Sequence, residues 1–469
     1  MKQQDPLDMS VSIASSADVF AWLSRFINME TGQFSTSLRL DRMEVLAHLA
    51  GHPERSAPVI HIAGSKGKGS VTGMITAILE AEGFRPARYT SPHVTEYRER
   101  ITQGNAFFDE SIYIQAGREL VSIEAMLRNI PRSGIAYFDP PADDDTEASF
   151  FELLTLYFFL CARLAACDVM VVETGLGGRL DATNIVDPLV SVITLIELEH
   201  TEFLGDHIGA IAREKAGIIK PGKPLILAEQ ADEALDVFKK TAAACHAPLY
   251  YLPDVVDLRH IQVNPRGTTF SLAAKSPALF PAPLELTIPI PGEIQAQNAA
   301  LGIAAAKIAF PLLQVPSIFQ GLQHFTLPAR FERIMDDPIF IVDGAHTPQS
   351  VEACVETFSA LYGNGGILIF GCAAGKDAVA MAKILIPYFA RIIITTPGTF
   401  KMSFPQLVYD TFSTEATSFG KGSMVFYIPE TARAIEKALE QGREQAIPLL
   451  GTGSFYLAAE IRNKIHPCA

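Results

Sequence analysis

The stretch that decides the fold is PVIHIAGSKGKGSVTGMITAIL, residues 58–79. Residues 59–63 form a short apolar run, which predicts a buried strand. Residues 71–79 repeat apolar side chains at the spacing of one helix face, which predicts an amphipathic helix. The glycine-rich turn between these elements predicts a phosphate-binding site, because its backbone N–H groups and the helix N-terminus both favour an anion.

The turn consists of glycines, lysines and serines: Gly64, Ser65, Lys66, Gly67, Lys68, Gly69 and Ser70. Lys68 can reach a terminal phosphate, and Ser70 offers a hydroxyl to Mg2+. The spacing of a strict P-loop is not met, because Gly69 separates Lys68 from Ser70. A tight turn that only connects strand and helix is the alternative interpretation.

The length and composition limit the class of protein. A chain of 469 residues exceeds what one hydrophobic core usually supports, so we expect two domains. With 48% apolar residues and no apolar run long enough to span a membrane, the chain is typical of a soluble globular protein. The net charge of -14 argues against general nucleic-acid binding. Scattered cysteines and an N-terminus without a signal-peptide pattern predict a cytoplasmic location, with neither disulfide nor zinc.

The pattern in the middle of the chain predicts a parallel sheet. Apolar runs at 169–172, 190–196 and 224–227 predict strands that are buried on both faces, and they alternate with helical stretches such as 208–218. Shorter runs with several prolines between 250 and 290 predict an antiparallel addition to this sheet.

A helix at 295–309 is expected to close a first domain of residues 1–310, and a second domain of residues 311–469 follows. The predicted fold class is therefore α/β, with a P-loop-type parallel sheet followed by a smaller Rossmann-like domain. Ligands of such sheets bind beyond the carboxyl ends of the strands. The predicted strands of the second domain are 339–342, 367–370, 392–395, 424–427 and 448–450, and its helices are 351–361, 379–386, 431–439 and 455–465.

Four polar side chains follow strands of the first domain, namely Ser70, Glu173, His200 and Lys215. Because the carboxyl ends of parallel strands lie side by side, these groups can converge on ions near the phosphate turn. Each also has a structural alternative. Glu173 can cap the glycine turn at 175–178, His200 can be a hydrogen-bonded structural histidine, and Lys215 can be a solvated lysine on its helix.

Seven stretches carry a family resemblance: HIAGSKGKGSV (61–71), YTSPHVTEYRERI (89–101), VVETGLGGRLDATNIVDP (171–188), HTEFLGD (200–206), EKAGIIKPG (214–222), LPARFERI (327–334) and IVDGAH (341–346). They resemble the folylpolyglutamate synthase and dihydrofolate synthase family of the Mur ligase superfamily, from about residue 16 onward. The pair GLGGRLDATN and EKAGIIKPG is far more specific than the glycine turn alone.

The resemblance implies an ATP-dependent ligase that uses Mg2+. It implies catalytic roles for Lys68, His200 and Lys215. Besides the turn at 64–70, it implies ATP contacts from Asn298, Arg330, Asp343 and His346. The implied metal ligands are Ser70, Glu173, His200 and Lys215, the last as a side-chain carbamate.

The pteroate pocket of the family maps onto three parts of this chain. An aromatic ring beside a carboxylate suits a flat pterin with ring N–H donors. The residues that the resemblance places in this pocket are Ser91, His93, Ser149, Phe150, Phe151, Glu152, Leu180, Asp181 and Ala182.

The chain departs from the family pattern at four positions, Lys66, Glu199, Ile294 and Thr347. The family usually has asparagine at the first and aspartate at the second, and many members have histidine at the third and asparagine at the fourth. None of these changes replaces an implied metal ligand. Lys66 adds positive charge near the phosphates.

The implied reaction is amide formation between L-glutamate and the carboxylate of dihydropteroate, of a folate or of both. A carboxylate is a poor electrophile, so transfer of the γ-phosphoryl group of ATP would first convert it into an acyl phosphate. The expected partners are these small molecules, bound by a monomer, with no nucleic acid and no membrane. Two alternatives stay open: a cell-wall Mur ligase, although no third N-terminal domain is recognisable, and a regulatory ATPase without synthetic activity.

Overall fold

The computed structural model describes residues 12–28, 39–129, 147–277, 279–398 and 401–466. In these ranges the chain forms a large and mostly parallel sheet, a small antiparallel sheet and a second, mostly parallel sheet. The predicted α/β fold class, with a second and smaller α/β unit, is confirmed. Over the same residues, no helix combines the length and the apolar character that a membrane crossing requires.

The first sheet contains β1 (Val59–Ala63), β2 (Pro86–Tyr89), β3 (Ile101–Gln103), β4 (Ala106–Phe107), β5 (Val169–Glu173), β6 (Val190–Ile193), β7 (Leu225–Leu227) and β8 (Leu249–Tyr251). Its strand order is β4-β3-β2-β5-β1-β6-β7-β8. The strands from β2 to β8 in this order run parallel, and β3 and β4 extend one edge in antiparallel fashion. β1 therefore lies near the centre, with β5 and β6 on its two sides.

Two further sheets follow. The small sheet consists of β9 (Val256–Asn264), β10 (Gly267–Ala274) and β11 (Leu284–Ile288). It is antiparallel, as predicted between 250 and 290, but its strands form a separate sheet and not an addition to the first. The second large sheet has the order β12-β13-β17-β14-β15-β16, with only β12 antiparallel to its neighbour among the described strands. Its strands are β12 (Glu332–Asp336), β13 (Ile339–Val342), β14 (Gly366–Phe370), β15 (Phe389–Ile394), β16 (Val425–Tyr427) and β17 (Leu449–Thr452).

Helices cover the sheets and connect the parallel strands. Those before and within the first sheet are α1 (Ser16–Leu23), α2 (Asp41–Leu49), α3 (Lys68–Ala81), α4 (Glu110–Asn129), α5 (Phe150–Leu164), α6 (Thr201–Leu204), α7 (Ile208–Ala216) and α8 (Asp232–Ala244). The remainder are α9 (Leu252–Val255), α10 (Glu293–Ala309), α11 (Val315–Gln323), α12 (Pro348–Tyr362), α13 (Ala378–Leu385), α14 (Pro405–Ser418), α15 (Thr431–Gln445) and α16 (Phe455–Ile465).

The first sheet is buried on both faces, because successive residues of a strand point to opposite sides. In β1, Ile60 and Ile62 pack with residues of α3 and α10, whereas Val59 packs into the core that contains α4 and α5. Each fully buried aliphatic side chain of this kind contributes about 1.5 to 3 kcal/mol. Polar side chains that can meet a ligand are therefore expected at the ends of these strands.

The strand predicted at 190–196 is shorter in the structure and ends at Ile193. The carbonyl of Leu195 accepts hydrogen bonds from the N–H groups of Ser65 and Lys66, at 2.9 and 3.2 Å. These bonds turn the chain away from the sheet and bring it alongside the phosphate turn.

The packing of α11 bears on the expected domain boundary at 310. A Cβ at Gly321 would lie 2.6 Å from the carbonyl oxygen of Ala77, so α11 packs in direct backbone contact with α3. Leu322 and Phe325 are buried in the same core as α3. The segment just after residue 310 therefore stays with the first sheet, and the second sheet begins with β12.

Candidate active site

The glycine turn between β1 and α3 brings two distant residues to the site. Gly67 has φ 86°, in the left-handed range that favours glycine. A Cβ at Gly64 would lie 1.8 Å from Thr194 Oγ1, and a Cβ at Gly67 would lie 2.4 Å from Asn298 Oδ1. Both positions thus require the absence of a side chain. Asn298 of α10, an implied ATP contact, lies directly beside the turn.

The polar side chains of the turn are held in different ways. Lys68 begins α3, and its Nζ donates to the carbonyl oxygen of Gly64 at 2.8 Å. Ser65 Oγ donates to the carbonyl oxygen of Glu197 at 3.0 Å, which ties the turn to the segment after β6. Ser70 is buried in the first turn of α3. An ammonium and a hydroxyl therefore lie together at a helix N-terminus, where an anion is favoured.

Glu173 ends β5 directly beside β1. Its Oε2 is buried without a hydrogen-bond partner among the described residues, and it would lie 3.6 Å from a Cβ at Gly69. Burial raises the pKa of Glu173 to about 7, although Lys68 and Arg330 oppose this shift. A buried carboxylate oxygen without a partner is costly unless a ligand completes it.

The alternative role for Glu173, capping the glycine turn at 175–178, is wrong. The backbone N–H groups of Gly175 and Leu176 instead donate to Asp181 Oδ2, each at 2.9 Å. The carboxylate of Asp181 therefore does the capping, and Glu173 keeps an oxygen free beside the phosphate turn.

Lys215 is buried on α7 and is only 1% exposed. Its Nζ donates to the carbonyl oxygen of Gly64 and to Glu199 Oε1, both at 2.8 Å. The alternative of a solvated lysine is therefore wrong. Burial lowers the pKa of Lys215 to about 8, against the effect of Glu199. Burial alone would raise the pKa of Glu199, but Lys68 and Lys215 hold it at about 2.

His200 lies at the start of α6 with φ 45°, a left-handed conformation that is uncommon outside glycine. The residue is exposed by its surface accessibility. Partial burial and the nearby cations Lys68 and Lys376 lower its pKa to about 4, against Glu199. The ring is therefore neutral near pH 7, the form that binds a metal.

The second sheet contributes a cation and its supports. Arg330 lies before β12, with its guanidinium 4.1 Å from the ring centre of Phe455, and it affects the pKa of both Glu173 and Asp343. Asp343, after β13, accepts hydrogen bonds from the N–H groups of Phe331 and Ala345, both at 2.7 Å. The influence of Arg330 on Glu173 shows that the segment before β12 brings a positive charge near the end of β5.

His346 follows Asp343 on the same loop. Its Nδ1 lies 2.8 Å from the carbonyl oxygen of Gly344, so Nδ1 donates and Nε2 is left as the acceptor nitrogen. Burial, together with Lys66 and Lys376, lowers the pKa of His346 to about 3. Lys66, one of the four departures from the family pattern, therefore acts on the pKa of a histidine in the loop after β13.

The residues present fit Mg2+. The partner-free oxygen of Glu173 lies against Gly69, the residue directly before Ser70, and Mg2+ prefers carboxylate and hydroxyl oxygens as ligands. In the part of the chain that the structure describes, no three His, Cys, Asp or Glu side chains converge on one point.

The implied pteroate residues at the start of α5 are mostly engaged within the protein. Arg42 Nε donates to both oxygens of Glu152, at 2.9 and 3.0 Å. Ser149 caps the helix and donates to Glu152 Oε2 through its backbone N–H and its hydroxyl. Phe150 is completely buried in the core. Phe151 is half-buried, and its ring covers Gly175, where a Cβ would lie 2.3 Å from Cζ.

Of the other implied pteroate residues, some are buried and bonded within the protein, and others are partly accessible or lie near Glu173. Asp181 is buried with both oxygens bonded inside its own loop, and Ala182 is buried beside it. Leu180 is half-buried. Ser91 lies near Glu173, and His93 Nδ1 accepts a hydrogen bond of 2.9 Å from Arg100 Nε. Of this set, Ser91 contacts Glu173 through its backbone N–H, and His93 is bonded to Arg100, which also acts on Glu173.

Among the site residues that escaped the sequence analysis are Arg100, Phe455 and Lys376, the last a cation that acts on His200 and His346. Arg100 is completely buried and lowers the pKa of Glu173, and it lies in the quoted stretch 89–101 that follows a strand. Its position could therefore have indicated it. Phe455 supports Arg330 from far along the chain and gives no local signal.

Two family models match the chain. The model described as "Mur ligase middle domain" matches residues 62–306, and the one described as "Mur ligase, glutamate ligase domain" matches residues 329–454. The first match contains the phosphate turn and α10, and the second begins at the segment of Arg330.

Curated relatives match over nearly the whole chain. The folylpolyglutamate synthase of Lacticaseibacillus casei is 29% identical over 90% of this chain and 94% of its own length. The dihydrofolate synthase/folylpolyglutamate synthase of Bacillus subtilis is 30% identical over 92% of this chain and 96% of its own length.

A solved structure with a similar fold is the Mycobacterium tuberculosis folylpolyglutamate synthase complexed with ADP and AMPPCP. It has 26% sequence identity and a TM-score of 0.82, over 98% of this chain and 100% of that chain. A second similar solved structure is described as an FPGS–AMPPCP–folate complex, where FPGS stands for folylpolyglutamate synthase. It has 26% sequence identity and a TM-score of 0.78, over 96% of this chain and 99% of that chain.

Proposed function

The chain belongs to the folylpolyglutamate synthase and dihydrofolate synthase family of Mur ligases, and we propose that it joins L-glutamate to a pteroate or folate carboxylate, with ATP as co-substrate. The observation that carries the proposal is the free oxygen of Glu173 beside the glycine turn, with Lys68 and Arg330 near it. Two cations around an incompletely bonded carboxylate suit a ligand that brings phosphates and a metal.

The reaction has two steps. The acceptor carboxylate attacks the γ-phosphorus of ATP, the bond to ADP breaks, and an acyl phosphate forms. The glutamate amine then attacks the acyl carbon, phosphate leaves from the tetrahedral intermediate, and the amine proton passes to solvent. Lys68 and Arg330 stabilise the charge on the transferred phosphoryl group. The segment around Arg330 closes against the turn and excludes water from the acyl phosphate.

Ser70, Glu173 and His200 are the residues that would hold Mg2+ beside the phosphates. When bound, the ion neutralises charge on the phosphate oxygens during phosphoryl transfer. A cation at this point also keeps Glu173 ionised, against the burial that raises its pKa to about 7.

Lys215 acts as a carbamate in this proposal. Its lowered pKa of about 8 gives far more neutral amine at pH 7 than a solvated lysine has. The amine lone pair bonds to the carbon of CO2, and the displaced proton goes to solvent. Because Glu199 already places an anion 2.8 Å from Nζ, a carbamate requires a cation at the same point, which a bound metal provides.

Phosphate release tests the proposed function. ATP and Mg2+ are supplied with glutamate plus dihydropteroate, with glutamate plus tetrahydrofolate, and with each component omitted in turn. We expect release only when glutamate and an acceptor are both present, and the active acceptor identifies the substrate range. Release with both glutamate and the acceptor omitted would indicate a regulatory ATPase. A further mixture contains a UDP-linked muramoyl acceptor, and release with that acceptor alone would indicate a cell-wall ligase.

A further inference from the structure

His61 is a buried titratable residue for which the ligation mechanism above has no use. It lies in the middle of β1 and is 0% exposed. Its Nε2 lies 2.8 Å from Thr183 Oγ1, and this hydroxyl lies 2.5 Å from Asp181 Oδ1. Asp181 in turn accepts the N–H groups of Gly175 and Leu176. A continuous chain of hydrogen bonds therefore runs from the central strand to the loop after β5.

The chemistry of the groups fixes the direction of this chain. Burial lowers the pKa of His61 far below neutrality, so the ring is neutral. A carboxylate only accepts, so the hydroxyl of Thr183 donates to Asp181 and must accept from His61. The proton of the ring is thereby assigned to Nε2, and Nδ1 is the bare nitrogen, which has no partner among the described residues.

The loop that this chain holds, residues 175–184, packs tightly on the helix that carries Lys215. The N–H of Arg179 donates to the carbonyl oxygen of Glu214 at 2.8 Å, and Asn184 Nδ2 donates to that of Gly217 at 3.1 Å. A Cβ at Gly178 would lie 3.1 Å from Lys215 Cα. No space separates the loop from α7, so the position of the loop sets the position of Lys215.

We propose that His61 is a positioning residue: through Thr183 and Asp181 it fixes the loop at 175–184 and, through that loop, places Lys215 against the carbonyl of Gly64. The inference rests on the proposed function in one respect, that Lys215 takes part in ligation. A histidine that only fills the core would act on stability alone, whereas a positioning residue acts on kcat when the fold is intact.

Thr183→Val separates these two roles, because it removes the hydroxyl in the middle of the chain and keeps the volume of the side chain. Thr76→Val is the matched control, since Thr76 is equally buried and, among the described residues, its hydroxyl bonds to the carbonyl of Thr72 within α3. His61→Ala breaks the chain at its origin. His61→Gln tests rescue, because its amide N–H can donate to Thr183.

We expect Thr183→Val and His61→Ala to lower kcat about 10-fold, the effect typical of losing an outer-shell support, with KM for ATP within about 2-fold of wild type. The double variant should be no worse than the poorer single variant, because both break one chain. His61→Gln should recover part of the kcat that His61→Ala loses. Thr76→Val should keep the kcat of wild type, with a melting temperature similar to that of Thr183→Val. Wild-type kcat in folded Thr183→Val would overturn the proposal.

Amide hydrogen exchange provides a second readout that does not depend on ligation. In Thr183→Val, exchange should become faster at Gly175 and Leu176, and it should remain unchanged there in Thr76→Val. Unchanged exchange at these two amides would overturn the positioning role even in an active enzyme. Absence of ligation by wild type together with the expected exchange would contradict the proposed function instead, and the loop-holding chain would stand.

Discussion

Two buried glutamates at helix and strand ends show how differently this molecule treats similar charges. Glu152, at the start of α5, is surrounded by Arg42 and Ser149, which donate to both of its oxygens. Glu173, at the end of β5, keeps one oxygen without a partner among the described residues. Both are almost completely buried, at 4% and 3% exposure. The completeness of hydrogen bonding, and not burial, therefore distinguishes a structural carboxylate from one that is available to bind a ligand.

The largest expected effect is at Lys68, which lies near Glu173, the glutamate that, in the described part of the chain, has an unbonded oxygen. Lys68→Ala removes a cation aimed at the transferred phosphoryl group and should lower ligation about 100- to 1000-fold, which corresponds to about 3 to 4 kcal/mol. The fold should remain intact, as judged by circular dichroism and melting temperature. The control is Lys307→Met, because Lys307 is buried and, within the part of the chain that the structure describes, bonds to the carbonyls of Pro311 and Leu313. That variant should lose stability and keep its activity, and more than a tenth of wild-type activity in Lys68→Ala would argue against the assigned role.

The second prediction tests the two glutamates against each other. Glu152→Gln weakens a buried ion pair and should lower the free energy of unfolding by about 3 kcal/mol, with ligation per folded molecule retained. Glu173→Gln removes a desolvated charge that has no complete set of partners, so stability should be unchanged or higher while ligation falls at least 10-fold. Chemical denaturation and steady-state kinetics of both variants measure this. The reverse pattern would mean that hydrogen-bond completeness does not separate the two roles.

The third prediction concerns the modification of Lys215. Lys215→Ala should lower ligation about 10- to 100-fold, the range for loss of a group that orients a metal site. Wild type depleted of CO2 should lose activity and regain it with bicarbonate, whereas the variant should not respond. Incubation with 13C-bicarbonate should give a carbamate signal in the NMR spectrum of wild type only. Full activity in CO2-free buffer would rule out the carbamate.

The smallest expected effect is the acid sensitivity due to His61. Burial, and secondarily Lys220, lowers its pKa from 6.5 to about 3, so the unfolded state binds a proton that the folded state does not. The contribution of His61 to stability is complete above pH 6.5 and is lost as the pH falls towards 3. Between pH 6.5 and 5, wild type should lose about 1.6 kcal/mol more than His61→Gln does. Parallel curves of unfolding free energy against pH for the two proteins would contradict this.

Local pattern was sufficient for most of the fold. The apolar run of β1, the glycine turn and the periodic apolar face of α3 are all contiguous. In the second sheet, five strands and four helices lie close to the predicted ranges, whereas β12 and α14 were not predicted. The end of β6 was missed, because the carbonyl of Leu195 bonds to the turn at Ser65 and Lys66. Local secondary-structure propensity cannot predict such a tertiary contact.

The site could be predicted only in part from the residues themselves. Glu173 was accessible because it directly ends a strand, whereas Asn298 and Arg330 entered through the family resemblance. The pairing of His61 with Thr183 joins residues 122 positions apart, and the ion pair of Arg42 with Glu152 joins residues 110 apart. Such partners decide which buried polar groups are satisfied, and one sequence does not reveal them.

The transfer of oxygen from acceptor to phosphate tests the central claim most directly. The acceptor is prepared with 18O in its reacting carboxylate and is incubated with the enzyme, ATP, Mg2+ and L-glutamate, and the released phosphate is analysed by mass spectrometry. Because the acyl phosphate forms through a carboxylate oxygen and breaks at the acyl carbon, the account predicts one 18O atom in each phosphate and one in the new amide. Released phosphate without 18O would show that water, and not the carboxylate, attacks ATP, and would contradict the account.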